Sequence, residues 1–146
     1  MIGVCELGAT EDIATSEYKP DTEGVIRQAL VGMLRIPGVI TCSAFSDGIT
    51  IERADSTADP DRNTLAIIHS QDMLSLGTRI LRELSESIPE YVTIESDSLK
   101  MVISPIDDSA GLVTVCGADT ALGMVRLQMK NIIKEIAPYF VVGDCG

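Results

Sequence analysis

The sequence predicts an α+β domain: a five-stranded antiparallel sheet flanked by three helices, in the order α-β-β-α-β-β-β-α. Apolar residues recur at helical spacing in separate stretches, and β-prone runs stand between them, first as a pair and then as a triplet. The prolines Pro20, Pro37, Pro60, Pro89, Pro105 and Pro138 fall between the periodic segments, where a missing N–H does least harm. At 146 residues one domain is the expectation, and a chain of this size buries roughly 70% of its unfolded surface.

Residues 1–22 are rich in Gly, Thr and acids, with Glu6, Glu11, Asp12, Glu17 and Asp21 among them, and read as a partly mobile N-terminal extension. The domain proper is expected over residues 23–138, with a tail at 139–146. Its first helix runs from Thr22 or Glu23 to Arg35, with Ile26, Leu30, Met33 and Leu34 as apolar stripe and Pro37-Gly38 as its stop. "VITCSAFSDGITIERA" then reads as a hairpin around Asp47-Gly48, a strong two-residue turn. The following "DSTADPDRN" reads as a capping loop. Its Asp55, Asp59 and Asp61 lack the glycine and distal glutamate that a calcium loop requires in register.

The second helix is expected from Thr64 to Ser87. Leu65, Ile68, Met73, Leu76, Ile80, Leu84 and Ile88 give it a broad apolar face, and Leu74 and Leu81 widen that face further. Gly77 stands in mid-helix, where it costs about 1 kcal/mol relative to Ala. A close approach of another backbone would explain the glycine, and burial on two sides would explain the leucines. Three short strands follow, "YVTIES", "LKMVISPI" and "LVTVCG", the last apolar enough to be central. The third helix covers Thr120 to Ala137, with Leu122, Val125, Met129, Ile132 and Ile136 as its buried face and a basic stripe, Arg126, Lys130 and Lys134, on another.

Net charge is −11. Such a surface repels phosphate backbones, which argues against a nucleic-acid partner. No apolar run reaches the roughly 20 residues of a membrane span, and the start has neither the basic nor the apolar region of a secretory signal. The expectation is a cytoplasmic protein. Cys5, Cys42, Cys116 and Cys145 are widely spaced, and the chain has one histidine, so no metal site is expected. Cys42 and Cys116 read as small core residues of strands in a reducing compartment.

The strand–turn–helix text "VTVCGADTALGMVRLQMK" has the layout of a phosphate cradle without its chemistry. Gly117 and Gly123 are one residue too far apart for a Walker A loop, Met124-Val125 replace its Lys-Ser/Thr, and no GxGxxG is present. Asp119 or Thr120 is expected to cap the helix instead. His69 lies on the second helix without a nucleophile motif and reads as a surface or interface residue. Asp107-Asp108 read as solvated turn acids, and Arg79, Arg82 and Arg126 as solvated rather than as an arginine finger. No catalytic residue and no cofactor is expected.

The element order over residues 23–137 resembles the roadblock/dynein light chain family. So do "VIRQALVGMLRIPGVITCSAFSDGITI" and "LVTVCGADTALGMVRLQMKNIIKEI", with the Gly38 stop, the Asp47-Gly48 turn and the helix start Ala121-Leu122-Gly123-Met124-Val125. The resemblance implies a non-catalytic, profilin-like domain that dimerises side by side, pairing second helices and edge strands. For this chain that interface would involve Met73, Leu74, Gly77, Ile80, Leu81 and Leu84. Prokaryotic family members bind small Ras-like GTPases and modulate their nucleotide state; others are scaffold subunits in dynein and lysosomal complexes. The function so implied is a homodimeric platform for a small Ras-like GTPase. Two alternatives stand beside it: a structural adaptor that senses no nucleotide, and a small-molecule sensor, which would need a polar and aromatic pocket on the sheet.

Overall fold

The computed structural model of the chain describes residues 24–56, 60–85 and 87–140; the N-terminal extension and most of the C-terminal tail lie outside them. The elements are α1 (Val25–Met33), β1 (Val39–Ser46), β2 (Ile49–Asp55), α2 (Pro60–Ser85), β3 (Val92–Glu95), β4 (Leu99–Pro105), β5 (Ala110–Gly117) and α3 (Leu122–Ile136), closed by a 3-10 turn at Ala137–Phe140. The order is the expected one. The five strands form one sheet in the order β2-β1-β5-β4-β3, and every neighbouring pair is antiparallel. The run "LVTVCG" is the middle strand, as its composition predicts.

Local chemistry explains most boundaries. Asp47 (φ 53) and Gly48 (φ 78) both take left-handed backbone, the requirement of the twist-matched two-residue hairpin turn between β1 and β2. Gly38 (φ 96) reverses the chain after α1 and packs directly on Thr120. Ser96 caps the turn before β4, its hydroxyl accepting the N–H groups of Ser98 and Leu99.

The structure corrects three expectations from the sequence. α2 begins at Pro60, four residues before Thr64, because proline is well suited to a first helical turn that has no use for its missing N–H. The loop text "DSTADPDRN" therefore ends as helix, while residues 57–59 lie outside the described residues. Asp55 belongs to β2 rather than to a capping loop: Arg53 donates Nε and Nη2 to its two oxygens at 3.0 and 3.1 Å, and reaches Thr64 Oγ1 at 2.9 Å through Nη1, tying β2 to α2. Neither Asp119 nor Thr120 caps α3; Ala121 is the N-cap and no side chain bonds there. Thr120 is instead buried under Gly38.

Strand alternation divides the core between two faces. Cys42 and Ala44 of β1, Val102 of β4, and Leu112 and Cys116 of β5 face α1 and α3, where they meet Ile26, Leu30, Met33, Val125, Met129, Ile132 and Ile136. Phe45, Ile103 and Val113 face the other way and meet Ile67 and Leu74 of α2. Cys42 is fully buried and burial pushes its thiol up to about 12, with the Thr114 hydroxyl, 3.5 Å from its sulfur, opposing the shift. Cys42 and Cys116 are thus unreactive packing residues, as expected.

Gly111 sets the seat of α2. A Cβ at that position would lie 2.5 Å from Phe45 Cζ and 2.7 Å from Leu74 Cδ1. Gly111→Ala is therefore expected to destabilise the fold by roughly 1–3 kcal/mol through overpacking, read as a lower urea midpoint with unchanged slope; an unaltered midpoint would show that α2 yields without cost.

Candidate interaction face

α2 is long enough to need two apolar sides, and it has them. Its 26 residues lie over the sheet with Ile67, Ser70 and Leu74 buried against it. On the opposite side, Leu65, Ile68, Leu76, Ile80 and Leu84 are all exposed, the last at 77%. Positions 65, 68, 76, 80 and 84 step by three, four or twice four, so they fall within one half of the helix circumference, interspersed with the exposed His69, Asp72 and Glu83. The apolar breadth read from the sequence is two opposed stripes, one packed and one facing solvent.

The six residues expected at an interface divide between these sides. Ile80 and Leu84 belong to the exposed stripe. Met73 is half-buried at the rim of the core, and Leu81 is half-buried. Leu74 is buried against the sheet. Gly77 also faces the protein's own sheet: a Cβ there would lie 3.2 Å from Val92 Cγ2 and 3.8 Å from Pro89 Cγ. The close approach inferred at the mid-helix glycine is thus to β3 and the segment before it, within the chain. Leu65, Ile68 and Leu76, which the sequence placed on the broad apolar face without assigning them to an interface, complete the exposed stripe.

That approach brings α2 against the outer strand of the sheet. β3 is the outer strand, and Ile94, which shares a face with Val92, is 42% exposed on the α2 side. The opposite edge is defended. β2 carries a register irregularity opposite Ala44/Phe45 and presents Glu52, paired with Arg27 at 3.8 Å, and Arg53. Bulges and charges are the ordinary devices that keep an edge from pairing.

Arg126 holds β3 from the far side of the sheet. Its Nη2 donates to Thr93 Oγ1 at 3.1 Å, its guanidinium lies 5.7 Å from the Tyr91 ring centroid, and Tyr91 donates its hydroxyl to the Arg126 carbonyl at 3.1 Å. The solvated arginine expected from the basic stripe is instead a strut between α3 and the edge strand, and its Nε is buried without a hydrogen-bond partner. The cue in the sequence is the spacing of Tyr91, just before β3, and Thr93 within it, alternate positions of one extended run.

The remaining polar candidates fall into other roles. His69 is exposed on α2. Asp107 is a turn-former: its Oδ1 accepts the N–H groups of Ser109 and Ala110 at 2.8 Å each, while Asp108 is exposed. Arg79 and Arg82 line an open cleft of about 490 Å³ between α2 and the β4–β5 turn, with Leu74, Ile88 and Ile106. No aromatic residue lines that cleft, so it lacks what the small-molecule reading requires. No three of the described His, Cys, Asp or Glu side chains are gathered as a metal site would need. No described helix is long and apolar enough to cross a membrane.

The architecture is an α+β domain in which three helices pack on the two faces of one five-stranded antiparallel sheet. Solved structures identify the fold as that of Roadblock/LC7 domains. The chain is similar to the Roadblock/LC7 domain from Streptomyces avermitilis, with a TM-score of 0.68 at 20% identity over 77% of this chain and 94% of that one. It is similar also to Myxococcus xanthus MglB, with a TM-score of 0.70 at 17% identity over 79% and 94%. The gliding protein MglB from Thermus thermophilus follows, with 0.64 at 16% identity over 83% and 92%. No protein-family model and no curated protein sequence matches the chain.

Arg126→Ala is expected to cost roughly 1–2 kcal/mol, from one charge-assisted hydrogen bond and a partly solvated cation–π contact. Amide exchange at Thr93 and Ile94 should rise more than in β5. Uniform acceleration across the sheet would assign Arg126 to global stability instead.

Proposed function

We propose that this chain is a non-catalytic homodimer that binds and regulates a small Ras-like GTPase. The observation that carries the reading is the exposed apolar surface of α2, a helix whose Gly77 packs on the outer strand β3. Each half-exposed leucine or isoleucine made dry contributes on the order of 1 kcal/mol, so five from each of two copies supply roughly 10 kcal/mol. Association itself costs about 4–15 kcal/mol. The stripe alone is therefore marginal, and backbone pairing of β3 with its twin supplies both the missing stability and the register. The resulting platform would present the remaining α2 surface of both copies on one side of a continuous sheet. Prokaryotic members of the family the sequence resembles use such dimers to bind small Ras-like GTPases, and regulation would follow from unequal affinity for the nucleotide states. The relevant contacts would be made in the cytoplasm.

In this reading Ile80→Asp and Leu84→Asp each yield monomer by light scattering at micromolar concentration, with the fold retained because both side chains already face water. A dimer mass for both variants would remove α2 from the interface. Capture from the native lysate, with a non-hydrolysable GTP analogue in one half and GDP in the other, should enrich a small Ras-like GTPase in one half only. An identical partner set in both, with no GTPase in it, would make the chain a structural adaptor.

A further inference from the structure

The proposed dimer leaves the outer face of α3 unused, and that face is chemically unusual for this protein. Leu127 and Met124 are 62% and 55% exposed there. Lys130 and Lys134, one turn apart, are exposed on the same side, and neither makes an ion pair among the described residues. In a chain where acids outnumber basic residues two to one, this is a positive, apolar island.

We infer that this island is the docking site of the chain's own N-terminal segment, residues 1–23. Three facts on the molecule favour that occupant. The first is charge: the segment holds six acids against one lysine, a polarity opposite to that of α3. The second is apolar content: Ile2, Val4, Leu7 and Ile13 are spaced among those acids, which suits a surface where methionine and leucine lie beside lysines. The third is where the chain enters. Residue 23 leads into Gly24, the N-cap of α1, and α1 packs against α3 on the same face of the sheet. Reach is not limiting, since an extended residue spans about 3.3 Å and a helix of α3's length only about 22 Å. The segment covers Leu127 and Met124 and sets its carboxylates against Lys130 and Lys134. Because the charges are exposed, docking weakens as salt shortens the Debye length from about 10 Å at 0.1 M.

The test uses the full chain and its own chemistry. Cys42 and Cys116 are buried and do not label, so Cys145→Ser leaves Cys5 as the single site for a nitroxide. In a ¹⁵N spectrum of the labelled protein, the amides of Leu127, Lys130 and Lys134 should lose intensity selectively, and recover it at 1 M salt. Lys130→Glu/Lys134→Glu should abolish the effect, whereas Arg79→Glu/Arg82→Glu on α2 should leave it intact. Both pairs are exposed, and unshifted core resonances report that each variant folds. Broadening that is absent, centred on α2, or unchanged by the α3 reversal overturns the proposal. The outcome does not depend on whether a GTPase is the partner.

Discussion

The architecture turns on one contact in which a side chain is missing. At Gly111 the middle strand presents only backbone, and into that gap press Phe45 from β1 and Leu74 from α2. The contact fixes how low α2 can sit, and therefore which of its residues are dry. With α2 at that depth, Gly77 reaches Val92, the helix lies beside β3, and the opposite stripe is left in water. A bulkier residue at 111 would lift the helix and change its partner surface along with its stability. Packing in cores of this density transmits such changes because there is no slack to absorb them.

The sequence made the frame legible because the frame rests on local signals. Asp47-Gly48 requires a hairpin, and α3 carries its buried face at regular three- and four-residue steps. Prolines mark most boundaries, and the apolar run of β5 places it at the centre. What the sequence left unread depends on neighbours distant in the chain. Nothing local tells that Arg126 will turn back to Thr93, or that Thr120 will be covered by Gly38 rather than cap a helix. Pro60 read as a breaker because a proline at a first helical turn and one in a loop look alike until the helix is seen. The two-sided character of α2 was readable from its excess leucines. The side on which Leu74 or Gly77 falls was not, because both choices satisfy helical periodicity.

The same distinction separates the two layers of the molecule. On the α1/α3 side, almost every apolar position of the helices' inner faces is consumed by the sheet, and the outer face of α3 keeps Met124 and Leu127 beside Lys130 and Lys134. On the α2 side the core is thinner, built from Phe45, Ile103 and Val113 with Ile67 and Leu74, and much of the helix's apolar surface is held back from it. A helix that spends only part of its hydrophobicity on its own domain retains affinity for a second surface.

The unequal edges of the sheet also fix how far assembly can go. β2 carries an irregular register and paired charges, while β3 pairs regularly with β4, so the proposed dimer uses one edge per subunit, a valence of one for strand pairing. Monomers of valence one terminate each other. In the proposed assembly, head-to-tail growth, which needs a donor edge and an acceptor edge on every unit, has no propagation step, and the product is an isologous two-fold pair. Restoring regular pairing to β2 and removing both its charges would raise that valence to two, and the same fold would then be able to grow head to tail.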